Sequence, residues 1–143
     1  MSVSQFSGLE MLQAMLDGKI PPASITQTMP LKGISVEYGK VQFEATADER
    51  HLNPLGGVHG GFLATIMDSV TACAVHSALE AGISYATIDL NVKMLKPVPQ
   101  NIPLIAEGKL INLTKSLGIS EGSLKDSEGK LYGHATATCM ILR

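Results

Sequence analysis

The sequence predicts an α+β domain in which an antiparallel sheet wraps around one long central helix. Three observations carry that expectation: a run from Gly61 to Glu80 without a breaker and apolar on nearly every side, a series of four strand-like segments after it, and turn residues between those segments. A helix that is apolar all round must be enclosed, and successive strands joined by short turns make an antiparallel sheet able to enclose it.

Taken in order, Leu9, Leu12 and Leu16 recur at helical spacing and Gly18 supplies a stop, so segment 1–18 reads as an N-terminal helix. Between Gly33 and Thr46, Ile34 and Val36, then Val41, Phe43 and Ala45, alternate on either side of Gly39, which predicts a hairpin. Leu52-Asn53-Pro54-Leu55-Gly56-Gly57-Val58-His59-Gly60 is too rich in Pro and Gly for regular structure and reads as a loop leading into helix 61–80. Thr87 to Leu95, Leu104 to Leu113, Ser116 to Leu124 and Leu131 to Leu142 are the later strands, with turns at Pro97-Val98-Pro99 and Asp126-Ser127-Glu128-Gly129. At 143 residues, with no repeat or linker, the span 1–143 is expected to be a single domain.

Composition narrows the function. A formal charge of −2, 4% aromatic residues and no Trp argue against nucleic acid as a partner. No apolar run reaches the length of a membrane span, and the opening Met1 to Gly8 lacks the basic start and apolar stretch of a secretory signal, so a cytoplasmic protein is expected. Cys73 and Cys139 both sit in apolar surroundings and read as reduced core residues. The four histidines and two cysteines show no metal-ligand spacing, and neither a metal nor a cofactor is expected.

Asp68 is the anomaly. It lies between Ile66-Met67 and Val70 in the middle of the apolar helix, about two turns in, too deep to cap its N-terminus. A buried unpaired carboxylate is costly, so its presence calls for a reason. Steps of three, four and seven residues put Gly61, Ala64, Asp68 and Ala72 on one stripe with Thr65 and Thr71 beside it, a small and partly polar face that would leave the acid at the floor of a cleft. The structural alternative is a core Asp bonded to Thr or backbone donors.

The preceding loop supplies the complement. Gly60 and Gly61 carry no Cβ to hold a ligand away, and the N–H groups at the helix start suit a carbonyl oxygen that becomes negative, as in a thioester under attack. Asn53 and His59 are further polar groups able to orient that carbonyl, although a lone His in a turn is commonly structural. Lys93 and Lys96 form a small basic cluster fit for a nucleotide phosphate, solvated surface lysines being the commoner reading.

Asn53-Pro54-x-x-Gly57-x-His59-Gly60-Gly61 followed by Asp68 resembles the signature of hotdog-fold acyl-CoA thioesterases close to the phenylacetate-pathway (PaaI-like) family. The likeness runs from about Gly33 to Leu142 and extends to Thr87-Ile88-Asp89-Leu90-Asn91-Val92, Leu95-Lys96-Pro97-Val98 and Asp126-x-Glu128-Gly129-Lys130-Leu131. The resemblance implies a hotdog fold and hydrolysis of an acyl-CoA thioester to free acid and coenzyme A. It gives Asp68 as nucleophile or general base, Asn53, His59 and the Gly60 N–H as the groups that set and polarise the carbonyl, and Thr87 as a partner of the acid. It also implies a homodimer with each site shared between two chains, and a further pairing to a homotetramer. Gly61, Leu63, Met67, Lys93 and Lys96 are the expected substrate-binding residues, with Leu63, Met67 and the N-terminal helix shaping a pocket for an aryl, arylacetyl or medium-chain acyl group.

Two rival readings share the fold: a hydratase or dehydratase of acyl thioesters, and an acyl-CoA-binding module without turnover. The first usually pairs its acid with a His in a different motif, and the second has no need of an unpaired buried acid. Gly118-Ile119-Ser120-Glu121-Gly122 matches the G-x-S-x-G pattern of serine hydrolases, but Ser120 falls inside an expected strand, the wrong context for a nucleophile elbow.

Overall fold

The computed structural model describes residues 5–143. Residues 1–4 of the expected N-terminal helix lie outside the described part. Two α-helices, α1 (Gly8–Leu16) and α2 (Gly60–His76), accompany six strands, β1 (Leu31–Glu37), β2 (Lys40–Ala45), β3 (Ser84–Met94), β4 (Leu104–Leu113), β5 (Leu117–Lys125) and β6 (Leu131–Leu142). The strands form one antiparallel sheet in the order β1-β2-β4-β5-β6-β3, against which α2 packs. This is the hotdog arrangement expected from the sequence. No helix among the described residues is long and apolar enough to cross a membrane.

α1 starts at Ser7, whose hydroxyl accepts the Glu10 N–H at 3.1 Å while Glu10 accepts the Ser7 N–H at 2.9 Å, a reciprocal cap. The β1–β2 hairpin turns at Gly39, whose φ of 74° lies in the left-handed region. The Gly39 N–H also donates to Ser77 Oγ at 2.8 Å, tying the hairpin tip to the end of α2. α2 begins one residue earlier than expected and ends four earlier, because Ser77 at its C-cap returns its hydroxyl to the Ala74 carbonyl.

The core lies between α2 and the sheet. Phe62, Leu63, Ile66, Met67, Val70 and Val75 point into it and meet Val41, Leu104, Ala106, Leu124, Ala135 and Cys139 from the strands. Glycines let the helix lie close. Gly108 on β4 pairs with Gly122 on β5, and a Cβ at Gly108 would stand 2.0 Å from the Val70 carbonyl oxygen. Thr71 is fully buried on this sheet-facing side, bonded to the Met67 carbonyl at 2.7 Å, and not beside the small stripe. The opposite side of α2, with Gly61, Ala64, Thr65, Asp68, Ser69 and Cys73, is only half-buried. The sheet therefore covers one face of the helix and leaves this strip open, where the sequence suggests enclosure on most sides.

β3 ends the sheet, and its outer edge has no strand beside it among the described residues. A bulge between Thr87 and Asp89 turns that edge, leaving Ile88 half-exposed.

Candidate active site

The expected site residues separate into two clefts. Asp68 and Thr87 line one of about 360 Å³, bounded by α1, the 3₁₀ turn Ser24–Gln27, the hairpin and the start of β3. Asn53, His59 and Gly60 line another, with Leu63, Met94 and Lys96. Gly60 and Asp68 are eight residues apart on α2, roughly 12 Å along its axis, so one chain does not bring them to the same carbonyl.

In the first cleft, Asp68 is half-buried, yet its Oδ1 is closed to solvent and has no hydrogen-bond partner among the described residues. Native structures rarely leave such an atom orphaned. The Thr87 hydroxyl lies 3.8 Å from Cys139 Sγ. Burial pushes the Cys73 thiol up to about 12, with the Asp68 charge and Cys139 adding to the shift, so no thiolate competes as a nucleophile at neutral pH. Tyr85 is raised as well, by burial and then by Cys73, Cys139 and Asp68. Ser69, Cys73 and Tyr85 therefore share this cleft with the acid, although the sequence reading singled out none of them for the site. Ser69 and Cys73 are four residues apart and so stack in a row of their own beside the Asp68–Ala72 row, and Tyr85 stands two residues before Thr87 on the same strand face, which is the signal available for them.

The loop cleft is organised by its own polar groups. Asn53 Oδ1 accepts the Leu55 and Gly57 N–H groups at 2.9 and 3.2 Å, so its carbonyl serves the loop while its amide NH₂ has no partner among the described residues. His59 is the N-cap of α2, its Nδ1 accepting the Gly61 N–H at 2.7 Å. Of the N–H groups at the helix start, that bond engages Gly61, while the Gly60 N–H has no partner among the described residues. The tip of Met94 covers Gly60, since a Cβ there would lie 2.8 Å from the Met94 sulfur.

Below the loop, His51 is buried. Its Nδ1 accepts the Asp48 N–H at 2.9 Å and its Nε2 lies 2.6 Å from the Thr28 carbonyl, anchoring the segment that carries Asn53.

The expected substrate-binding residues divide. Met67 is fully buried in the main core and lines neither of these clefts, because its position on α2 faces the sheet. Leu63 is almost as buried, its side chain resting on Gly133. Lys96 reaches the loop cleft, whereas Lys93 pairs across from His134 in the sheet and lines neither cleft. Ser120 is buried in β5 and donates to the Thr71 carbonyl at 2.9 Å, a structural bond with no nucleophile elbow around it.

Comparison with known proteins gives the family. Residues 55–132 match the Thioesterase superfamily. The chain is 34% identical to a phenylacetic acid degradation-related protein of Ralstonia eutropha, with 90% of this chain and 97% of that one covered and a TM-score of 0.81. It is 26% identical to human acyl-coenzyme A thioesterase 13 over 73% of this chain and 75% of the relative. A thioesterase of Haemophilus influenzae shares the fold at a TM-score of 0.79 and 20% identity, over 96% of this chain and 92% of that one. With more than half of its length matched, the chain belongs to the thioesterase superfamily and is an enzyme that hydrolyses thioesters.

Proposed function

We propose that this chain hydrolyses acyl-coenzyme A, with Asp68 as the reacting carboxylate and with the loop of a second chain completing each site. The observation that carries the reading is the closed, unpartnered Oδ1 of Asp68 in an apolar cleft. A carboxylate kept without donors is a ready base or nucleophile, and the loop that holds Asn53, His59 and the free Gly60 N–H is too far away to serve it within one chain.

In the proposed dimer, the unpaired edge of β3 meets the same edge of a second copy, which satisfies the backbone groups of both. The loop of one chain then faces the acid of the other. The thioester carbonyl receives the Gly60 N–H and the side-chain donors of His59 and Asn53. Asp68 either attacks the carbonyl carbon or takes a proton from a water that does. Thiolate leaves as the C–S bond breaks, and one water is consumed overall to give the carboxylic acid and the coenzyme A thiol. A donor aimed at the developing oxyanion is worth roughly 3 to 4 kcal/mol of barrier. Thr87 is proposed to steady the acid, and Lys96, which lines the loop cleft, to meet phosphate. Coenzyme A enters only as part of the substrate, and no metal takes part in these steps. The whole span 1–143 acts as one domain. Further pairing to a tetramer and a cytoplasmic setting complete the reading, the latter in keeping with two free cysteines.

Asp68→Asn tests it. The substitution keeps size and shape but removes the charge, so free-thiol release from acyl-coenzyme A should fall by roughly 10³-fold or more while the fold and ligand binding survive. Turnover near the wild-type rate would overturn the assignment.

A further inference from the structure

The cleft that holds Asp68 is walled on one side by α1 and the 3₁₀ turn. Along α2 it extends from Asp68 to Cys73, about 7.5 Å of helix axis. Asp68, Ser69 and Thr87 on α2 and β3 supply most of its polar groups, while α1 and the 3₁₀ turn contribute mainly apolar side chains, Leu12, Met15, Leu16 and Ile25 among them, with Thr26 as a polar exception.

α1 is fastened over this space at both ends. At its start, the Gly8 N–H donates to the Leu79 carbonyl at 2.9 Å, and a Cβ on Gly8 would overlap the His76 carbonyl oxygen, only 1.6 Å away. At its end, Leu16 presses into the place a side chain at residue 33 would take, with Cδ1 2.5 Å from the Cβ position of Gly33. At Gly8 only a glycine lets the two backbones approach so closely, and at Gly33 the missing side chain leaves the space that the Leu16 tip fills. A helix held in this way is a wall and not a lid.

We infer that α1 and the 3₁₀ turn set the acyl specificity of the hydrolase proposed above, with Leu16 seated on Gly33 as the stop. This inference rests on that reading of Asp68. An apolar cavity of roughly 150 Å³ takes a benzene ring. The chamber, at about 360 Å³, has room for a ring on a short linker or a medium straight chain. A long straight chain that follows the wall runs against Leu12 and Leu16, which line the same cleft as Asp68. The discrimination therefore lies in the wall, since each methylene accepted or refused by an apolar pocket is worth roughly 10- to 200-fold in kcat/KM.

The test is a kcat/KM series on butanoyl-, octanoyl-, dodecanoyl- and phenylacetyl-coenzyme A. Wild-type enzyme should prefer octanoyl and phenylacetyl over dodecanoyl by about tenfold or more. Leu16→Ala, which empties the seat on Gly33, should raise the dodecanoyl-to-octanoyl ratio by about tenfold. Ile25→Trp, at a half-exposed wall position that tolerates bulk, should lower the octanoyl-to-butanoyl ratio by a similar factor and decides the matter if Leu16→Ala does not fold. A wild-type preference for dodecanoyl, or ratios unmoved in folded variants, overturns the inference and leaves the hydrolase standing. Failure of the wild type to hydrolyse any of the four esters overturns both.

Discussion

His59 and Gly61 are joined by a 2.7 Å hydrogen bond in which the Gly61 N–H donates to Nδ1 of the ring. An accepting Nδ1 leaves Nε2 as the place for the ring proton, so one bond caps α2, fixes the tautomer and aims a donor outward into the loop cleft.

His59→Ala should therefore lose two things at once: about 1 kcal/mol of stability from the missing cap, read by urea denaturation, and about 10²-fold or more in kcat from the missing donor, read by thiol release. His59→Asn separates them. Asn is a good N-cap, so stability should return while kcat stays low. Full activity in His59→Ala would remove the ring from the proposed chemistry.

The distance along α2 between Gly60 and Asp68 makes a second prediction. Chains carrying Asp68→Asn and chains carrying His59→Asn should each be inactive alone. Refolded together in equal amounts, half of the dimers would be mixed and each of these would hold one intact site, giving about a quarter of wild-type activity. No recovery in a mixture proven to contain mixed dimers would mean that the acid and loop of the same chain cooperate.

His76 gives a pH dependence of stability. Burial holds its imidazole below the usual value of 6.5, in a place where its ring lies 5.0 Å from the Tyr85 ring and its backbone supports Gly8. As pH falls through about 6.5 the unfolded chain takes up this proton while the folded chain resists it, so the unfolded state binds more protons and stability declines. The contribution is fully present above that pH and is lost as pH drops toward the lowered folded value. Thermal unfolding between pH 8 and 5 should show the decline, and His76→Asn should flatten it; an equally steep fall in the variant would assign it to other groups.

Gly108→Ala should destabilise the chain by about 1 to 3 kcal/mol. The new methyl would stand 2.0 Å from the Val70 carbonyl oxygen, and backbone yields less readily than a side-chain tip. Chemical denaturation at unchanged m-value would show this, and an unaltered midpoint would mean that α2 lifts from the sheet at little cost.

Much of this molecule was legible in its sequence because local chemistry fixes local structure. Alternation gave the strands, with β4 and β6 at their observed limits, Gly39 gave the hairpin turn, and the apolar run gave α2. Asp68 stood out because a carboxylate among Ile66, Met67 and Val70 conflicts with its surroundings whatever the fold. Periodicity alone did not say which side of α2 the sheet would cover. That choice sent Met67 and Thr71 into the core and left Asp68, Ser69 and Cys73 on the open strip, and it depended on Gly108 and Gly122 meeting across two strands fourteen residues apart in the chain.

The sequence by itself determined the elements, the acid and the polar loop before α2. Only the tertiary structure decided that acid and loop fall in separate clefts, that Gly61 is already bonded, and that α1 walls the chamber beside Asp68. The physical reason is range. Capping, turn formation and periodic burial act over a few residues and are written in adjacent letters, whereas Leu16 on Gly33 and Gly8 on His76 depend on how far apart whole elements come to rest.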